Sequence, residues 1–149
     1  MRLEGVLRVP SDKSISHRAI IIPAIAKGKT LIKNWLISED TKATLNIFRQ
    51  LGVPIYRQDE YVVVEGKGWE ALQEPLDILD AKNSGTTARL VLGVLAGRPF
   101  FSVLTGDDSL KKRPMGRVLK PLKKMGLPYA DGRNNAENLP IALRGGNLK

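Results

Sequence analysis

The stretches SDKSISHRAIIIPAIAKG (11–28) and NSGTTARLVLGVLAG (83–97) each place small polar residues before an apolar run that ends at a glycine. A run that is apolar on every side is typical of a buried α-helix, and a glycine often follows its last turn, here Gly28 and Gly97. Surface helices carry polar residues along one side, whereas these stretches gather them at one end. The sequence therefore predicts two buried helices with polar N-termini.

Around the first helix, hydrophobic periodicity and turn residues predict a unit with the order β-α-β-α-β-β. Pro23 lacks the backbone N–H that a helix interior uses, so we expect it to kink or interrupt this helix. The second helix of the unit is amphipathic, with a polar cap before it and a glycine after it. The predicted elements are strand Val6–Pro10, helix Ser14–Lys27, strand Thr30–Asn34, a helix capped by Ser38 or Asp40 and stopped by Gly52, and strands Val53–Tyr56 and Tyr61–Glu65.

The same order of elements recurs in the second half of the chain, where Arg89 takes the place that Arg18 has in the first half. An internal repeat indicates units that bury their apolar faces against each other. We predict unit one over residues 1–68 and unit two over 69–149, in an α/β (α+β) fold with buried helices and outer sheets. The predicted elements of unit two are strand 76–80, helix 84–97, strand 100–106, helix 107–126 with Pro114 near its first turn and Pro121 inside it, and strands 127–130 and 139–145.

The composition limits the chemistry of the chain. There is no cysteine, which excludes disulfides and thiolate metal sites, and the single histidine, His17, argues against a protein-ligated zinc and is expected to be structural. The first residues have no signal-peptide pattern, and the longest apolar run, residues 19–26, is too short to span a bilayer, so we predict a cytoplasmic protein. The net charge of +9 indicates an anionic partner: nucleic acid, a membrane surface or a small phosphorylated substrate.

Both helix starts combine features of an anion-binding site. A helix N-terminus exposes unpaired N–H groups and carries partial positive charge, which favours an anion near Lys13, with Arg18 one turn further along. The equivalent stretch of unit two holds Gly85, whose missing Cβ leaves the backbone accessible, and Arg89 behind it. A basic cluster, SLKKRP (109–114), precedes the fourth predicted helix. The other interpretation is that these polar residues are plain helix caps.

Three motifs resemble the amino-terminal part of the 5-enolpyruvylshikimate-3-phosphate synthase family, and the resemblance covers nearly the whole chain. They are PSDKSISHRA (10–19), NSGTTARL (83–90) and GDDSLKKRPMGRVLKPLKKMG (106–126). The resemblance implies an inside-out α/β barrel of two similar domains, each built from three β-α-β-α-β-β units with the helices inside. This chain would carry two of those six units, and its domain would be incomplete.

The resemblance also implies an activity in aromatic amino-acid biosynthesis. The family transfers the enolpyruvyl group of phosphoenolpyruvate to the 5-hydroxyl of shikimate 3-phosphate and releases phosphate, with no cofactor and no metal. Both substrates are anions, which would account for the basic clusters. By the family pattern, Lys13 contacts both substrates and is catalytic, Ser14 and Arg18 hold shikimate 3-phosphate, Gly85 and Arg113 hold phosphoenolpyruvate, and Asn83, Thr86 and Arg89 are further candidates.

The chain departs from the family pattern in three ways. Ser11 and Lys82 stand where the motifs usually have glycine, and we expect Lys82 to perturb the turn into the following helix. The family needs about three times as many residues, and the part outside this chain includes the expected proton-transfer groups. The acidic residues near the motifs, Asp40, Asp107 and Asp108, are interpreted as caps and turns, so the chain offers binding residues without a general acid or base.

Two other functions are possible alternatives: a related transferase with a different substrate, and a protein of a different functional class. A cell-wall enolpyruvyl transferase that acts on a UDP-sugar shares the fold, but its lysine is normally followed by asparagine and it usually carries a loop cysteine. A basic nucleic-acid-binding domain would need aromatic stacking residues on strands or a recognisable motif, and the sequence has neither. We therefore expect small-molecule substrates, no nucleic acid and no membrane, with a complementing carboxy-terminal chain or self-association as further partners.

Overall fold

The structure is a computed structural model, and it describes residues 3–149. Four α-helices of nine or more residues and seven strands form its frame. The elements are α1 (Lys13–Ile25), β1 (Lys27–Lys33), α2 (Glu39–Gln50), β2 (Ile55–Gln58), β3 (Tyr61–Lys67), β4 (Leu79–Asp80), α3 (Gly85–Ala96), β5 (Phe101–Thr105), α4 (Gly116–Lys124), β6 (Tyr129–Gly132) and β7 (Ile141–Arg144), with short 3-10 helices at Trp69–Ala71 and Leu110–Lys112 and a four-residue turn of helix, α5, at Arg133–Ala136.

The strands form two separate sheets, one in each half of the chain. The first is antiparallel, with the order β1-β3-β2 and Leu31 opposite Val63. The second has the order β4-β5-β7-β6, in which only the short β4–β5 pair is parallel, and Val103 lies opposite Ala142. Each sheet has its own pair of long helices, so the halves repeat the same architecture.

The helices lie inside, as the sequence predicts. Ile20 of α1, Phe48 of α2 and Leu92 of α3 are fully buried, and they belong to one continuous apolar core that also contains side chains from both sheets. The burial of α1 and α3 is not complete, however. Ile22 is 57% exposed and Leu90 is 41% exposed, so each of these helices keeps one apolar side in contact with solvent.

Several predicted boundaries are wrong. Residues 6–10 form no strand and are exposed, because a strand needs a hydrogen-bonded neighbour and no described residue pairs with this segment. Gly28 does not end α1; it lies in β1 with φ +127°, and the helix ends at Ile25. The strand predicted over 76–80 is reduced to Leu79–Asp80. The fourth helix starts at Gly116, so Pro114 precedes it and ends an irregular segment after the 3-10 turn.

Neither internal proline interrupts its helix. Helix α1 continues through Pro23 for two more residues, and Ala26 then donates its N–H to the carbonyl groups of Ile22 and Pro23. Pro121 lies within α4 in the same manner. A proline near the last turn removes only one helical hydrogen bond, so the neighbouring bonds can maintain the helix. Across residues 3–149, no helix has the length and apolar character needed to cross a membrane.

Candidate anion-binding site

The first turns of α1, α2 and α3 carry the caps and the polar residues of the candidate site. Asp12 caps α1 by accepting a hydrogen bond from the Ile15 N–H at 2.7 Å. Ser38 caps α2, and Ser84 caps α3 by accepting from the Thr87 N–H at 3.1 Å. The caps are thus residues that precede the helices, whereas the predicted ligand residues Lys13 and Gly85 are the first residues inside them.

Lys13 is paired with an acidic residue of the neighbouring helix. Its Nζ lies 3.1 Å from Oδ2 of Asp40 in the first turn of α2, and its side chain is 54% exposed. The interpretation of Asp40 as a cap or turn residue is therefore wrong, because Ser38 takes that role. The sequence did not identify Asp40 as the partner of Lys13, because the two residues lie 27 positions apart along the chain, beyond the reach of any local pattern.

Ser14 and Arg18 lie on one exposed side of α1, because residues four apart in a helix share a face. Arg18 has no hydrogen bond or ion pair with any of residues 3–149. It borders an apolar groove between α1 and α3, next to Ile22, Leu90 and Trp69. Its guanidinium is thus placed for an external partner, and the structure shows no direct contact between it and Lys13.

Two arginine side chains converge on the backbone of Gly85. A Cβ added to Gly85 would lie 2.7 Å from Nη1 of Arg89 and 3.2 Å from Nη1 of Arg113, so both guanidinium groups lie against the same point of the backbone. Arg113 donates through Nη2 to Oδ1 of Asn83 at 3.4 Å. Arg89 donates through Nη2 to the carbonyl oxygen of Pro114 at 3.2 Å. Three of the predicted residues of unit two and one from the basic cluster are therefore brought together.

Neither of these arginines forms an ion pair within residues 3–149. Asp107, whose carboxylate feels the charge of Arg113, is occupied elsewhere: its Oδ1 accepts from the Leu110 N–H and its Oδ2 accepts from Asn83 Nδ2, both at 2.7 Å. The Leu110 and Asn83 hydrogen bonds, with a smaller contribution from Arg113, hold the pKa of Asp107 below its usual range. Two unpaired guanidinium groups side by side repel each other, and an anion between them would remove that repulsion.

The two other acidic residues near the motifs fit the sequence interpretation. Asp107 closes the turn before the 3-10 helix through its bond to Leu110, and Asp108 lies 3.6 Å from Lys111 as an exposed ion pair. Neither is placed as a free general acid or base. Among residues 3–149 there is also no cluster of three or more histidine, cysteine, aspartate or glutamate side chains that could hold a metal ion.

The expectation that Lys82 would perturb the turn into α3 is wrong. It adopts a left-handed conformation with φ +54°, and its Nζ lies 2.9 Å from Oδ2 of Asp80. Asp80 also accepts the Lys82 N–H at 2.7 Å, so the local hydrogen bonds maintain the turn. Ser84 still reaches its cap position. A cleft of about 470 Å³ beside α2, bordered by Lys42, Arg49 and Lys82, contains none of the predicted substrate residues.

Below the helix starts lies a buried polar layer that the sequence did not reveal. His17 is fully buried, and its Nδ1 lies 2.7 Å from Oγ1 of Thr44, whose hydroxyl lies 2.7 Å from Oγ1 of Thr87. Burial lowers the pKa of His17, Asp40 opposes this shift and Lys13 adds to it. Thr44 and Thr87 sit among apolar residues of α2 and α3, and polar residues at core positions are the signal that could have identified them.

The comparisons with known proteins agree with this geometry. The pattern of the family described as "EPSP synthase (3-phosphoshikimate 1-carboxyvinyltransferase)" matches residues 1–149. The chain is 58% identical to the 3-phosphoshikimate 1-carboxyvinyltransferase of Sulfurihydrogenibium sp. (strain YO3AOP1) over 147 residues and 57% identical to that of Aquifex aeolicus over 148 residues. Each match covers 99% of this chain and 34% of the relative, so the chain spans about a third of their length.

A solved structure gives the same result for the fold. The EPSP synthase of Acinetobacter baumannii superposes with a TM-score of 0.89 at 43% identity, over 97% of this chain and 33% of that protein. The expected fold class, repeated units with inner helices and outer sheets in an incomplete domain, is confirmed. The family match over residues 1–149 also favours this assignment over the cell-wall transferase and the nucleic-acid-binding domain. The chain belongs to the EPSP synthase (3-phosphoshikimate 1-carboxyvinyltransferase) family.

Proposed function

We propose that this chain is the substrate-binding part of an enzyme that transfers the enolpyruvyl group of phosphoenolpyruvate to the 5-hydroxyl of shikimate 3-phosphate. One observation supports this proposal above all. The guanidinium groups of Arg89 and Arg113, neither of which forms an ion pair within residues 3–149, both lie against the Gly85 backbone at the start of a buried helix. A guanidinium matches the geometry of a carboxylate or phosphate with two parallel N–H bonds. Helix α3 adds its N–H groups and its partial positive charge.

Each predicted residue has a role in this proposal. Arg113 and Arg89 hold phosphoenolpyruvate against Gly85, with Asn83 and Thr86 beside them. Ser14 and Arg18 hold shikimate 3-phosphate on the exposed side of α1. Lys13, at the start of α1, contacts both substrates and stabilises negative charge that develops as the bond to phosphate breaks. A charge-assisted hydrogen bond contributes about 1.5–3 kcal/mol, whereas an exposed ion pair contributes about 0–1 kcal/mol, so these few residues outweigh the rest of the basic surface.

The chain alone is not expected to complete the reaction. Among residues 3–149, the acidic side chains near the site are bound to neighbours, and none is free to donate or accept the protons of the transfer. The site is also open, and charges that face water interact far more weakly than charges in a closed cleft. We propose that a complementing chain or a second copy covers the apolar sides of α1 and α3 at Ile22 and Leu90. The cytoplasmic location stays a prediction.

Phosphate release from the two substrates tests the proposal. The chain is assayed alone and then with the part of the Aquifex aeolicus relative that it does not match, supplied as a separate polypeptide. We expect no release from the chain alone and measurable release on mixing. Release from the chain alone would show that it contains a complete site and would refute the division of labour proposed here.

Direct binding separates the substrate site from the general basic surface. We expect Arg113→Gln to weaken the binding of phosphoenolpyruvate about 10- to 100-fold, the equivalent of losing one charge-assisted hydrogen bond. Arg57→Gln on β2 removes the same charge from an exposed strand and should leave the affinity unchanged. Equal weakening by both variants would mean that the anion responds only to net charge.

A further inference from the structure

We propose that a buried row of four side chains, His17, Thr44, Thr87 and Ser84, fixes the starts of α1 and α3 relative to each other and thereby sets the affinity of the anion site at Gly85. This inference rests on the proposed function, because it needs an anion site at the start of α3. None of the four residues is a predicted substrate ligand. We call it the hydroxyl row, and His17 is its positioning residue at the α1 end.

The row runs through three helices without a gap. The His17 Nδ1 lies 2.7 Å from Thr44 Oγ1, Thr44 Oγ1 lies 2.7 Å from Thr87 Oγ1, and Thr87 Oγ1 donates to Ser84 Oγ at 2.7 Å. Ser84 Oγ accepts in turn from the Thr87 N–H, which is one of the free N–H groups of the first turn of α3. All four residues are at most 1% exposed. The row therefore connects α1, through α2, to the cap of α3.

The row forms the inner of two polar links between α1 and α2. Lys13 and His17 are one turn apart on α1, and their partners Asp40 and Thr44 are one turn apart on α2. The outer link is an exposed ion pair, which contributes little and weakens in salt. The inner link is fully buried, and a buried hydrogen bond is stronger and more costly to break. The inner link is therefore the one that holds the helix starts in register.

The protons in the row can all point one way. The Nε2 of His17 is buried without a hydrogen-bond partner among residues 3–149. Buried N–H groups without partners are rarer than unpartnered acceptors, which favours a neutral ring with its proton on Nδ1. Nδ1–H then donates to Thr44, Thr44 donates to Thr87, and Thr87 donates to Ser84, so every hydroxyl proton in between has an acceptor. Such a chain of bonds strengthens each member.

This arrangement explains why the row should affect an anion that it does not touch. The anion site needs Gly85, Arg89 and Arg113 in one geometry, and the first turn of α3 that supplies Gly85 is held by Ser84 and Thr87. If Thr44 loses its hydroxyl, the ring of His17 and the hydroxyl of Thr87 both lose a buried partner. The helix starts then gain freedom that an anion must remove when it binds, and its affinity falls.

The experiment uses the single histidine of the chain as a probe. The ring ¹⁵N shifts of His17 are followed in the 149-residue chain while inorganic phosphate is added, and the backbone amide of Gly85 reports binding. We expect the free protein to show a neutral Nδ1–H ring, and phosphate to shift the ring nitrogens in step with the Gly85 amide. A His17 spectrum that does not move while the Gly85 amide does would overturn the inference.

Variants separate the row from general packing. Thr44→Val keeps the shape and removes the hydroxyl, and we expect it to raise the Kd for phosphate at least threefold. Thr44→Ser restores the hydroxyl and should return the Kd to within twofold of the unmodified chain. Ser102→Ala removes a buried hydroxyl of β5 that has no partner among residues 3–149, and it should leave the Kd unchanged.

The outcomes distinguish this inference from the proposed function. If the unmodified chain shows no shift at Gly85 at any phosphate concentration, the anion site is wrong and the inference falls with it. If phosphate binds and Thr44→Val binds it equally well, only the inference is overturned. Should Thr44→Val fail to fold, the ring shifts of the unmodified chain still decide.

Discussion

The Nζ of Lys13 lies 3.1 Å from Oδ2 of Asp40, so the lysine at the start of α1 already has an anionic partner on α2. Both side chains are partly exposed, which keeps the pair weak enough to be exchanged. If Lys13 binds substrate as proposed, an arriving phosphate or carboxylate competes with Asp40 for the same ammonium group. The arrangement holds the Lys13 side chain in place before any ligand binds, and this reduces the conformational entropy that binding must remove.

Loss of the Lys13 charge should therefore affect turnover far more than folding. We expect Lys13→Met, in an enzyme completed by the part of the Aquifex aeolicus relative that the chain does not match, to lower turnover by orders of magnitude, since a contact of about 3 kcal/mol made in the transition state is lost. The free energy of unfolding should change by about 1 kcal/mol or less, because the ion pair with Asp40 is exposed. Urea unfolding and phosphate-release assays measure the two effects. Near-normal turnover would remove Lys13 from the site.

Gly85→Ala should discriminate between the two substrates. The new methyl group would meet Nη1 of Arg89 at 2.7 Å and Nη1 of Arg113 at 3.2 Å, so the guanidinium groups must move away from the backbone. We expect the variant to bind phosphoenolpyruvate, and small inhibitors that occupy its place, more weakly, and to lose less affinity for shikimate 3-phosphate. Titration with each ligand measures the difference.

The control for this variant lies in the same helix. Apart from the backbone of its own helix and its two chain neighbours, a Cβ at Gly93 would meet no atom within 4 Å. Gly93→Ala should therefore leave both affinities unchanged and stabilise α3 by up to about 1 kcal/mol through its helix propensity. Equal loss of both ligands in Gly85→Ala would indicate that Gly85 shapes the fold and not the phosphoenolpyruvate pocket.

The stability of the chain should fall as the pH drops below about 6.5. Burial lowers the pKa of His17 in the folded state, so below the ordinary histidine value of 6.5 the unfolded chain binds a proton that the folded chain does not. The contribution is fully present above that value and is lost as the pH falls toward the lowered one. The slope is at most about 1.4 kcal/mol per pH unit, the limit for one proton.

Urea unfolding at pH 7.5, 6.5 and 5.5 measures this dependence. In His17→Gln the slope between pH 6.5 and 5.5 should disappear, whatever the absolute stability of that variant, because His17 is the only histidine. A slope that persists in the variant would assign the proton uptake to another group.

Lys82 offers a test of backbone strain beside the site. Its left-handed conformation costs about 1–2 kcal/mol for a residue with a Cβ. Lys82→Gly removes that cost but increases the freedom of the unfolded chain by about 0.5–1 kcal/mol and removes an exposed ion pair, so the net change should be within about 1 kcal/mol. Lys82→Val, which is β-branched, should be clearly destabilising. Thermal unfolding of both variants gives the comparison, and a large loss in the glycine variant would contradict it.

The sequence predicts features that depend on neighbouring residues more accurately than features that depend on residues far along the chain. Helix α3 is predicted to within a residue at each end, and α2 to within a few residues because its cap was left open between Ser38 and Asp40. The caps and the glycines after both helices lie within a turn of the helix ends. The strand over residues 6–10 is wrong, because a strand depends on a neighbour that local sequence does not identify. The start of α4 was placed too early, since the charged residues before Pro114 fit a helix as well as the 3-10 turn they form.

In the candidate site, too, contacts between residues far apart along the chain could not be predicted from the sequence. The motifs indicate Lys13, Gly85 and Arg113 as candidates individually, but the polar partners of Lys13 and Arg113 lie far along the chain. Asp40 is 27 residues from Lys13, and the Thr44–Thr87 bond joins residues 43 positions apart. No pattern of spacing contains such contacts, because they arise only when three helices pack together.

The apolar groove between α1 and α3 also gives the chain an internal optical reporter. Trp69 lies at this groove beside Ile22 and Leu90, and it is only partly buried. The other tryptophan, Trp35, is held by a 3.0 Å hydrogen bond from its Nε1 to the carbonyl oxygen of Ser16 and supplies a steady background. Any protein surface that covers the groove will exclude water from the indole of Trp69. Its fluorescence should then shift to the blue, so assembly can be timed in a stopped-flow instrument without attaching a dye.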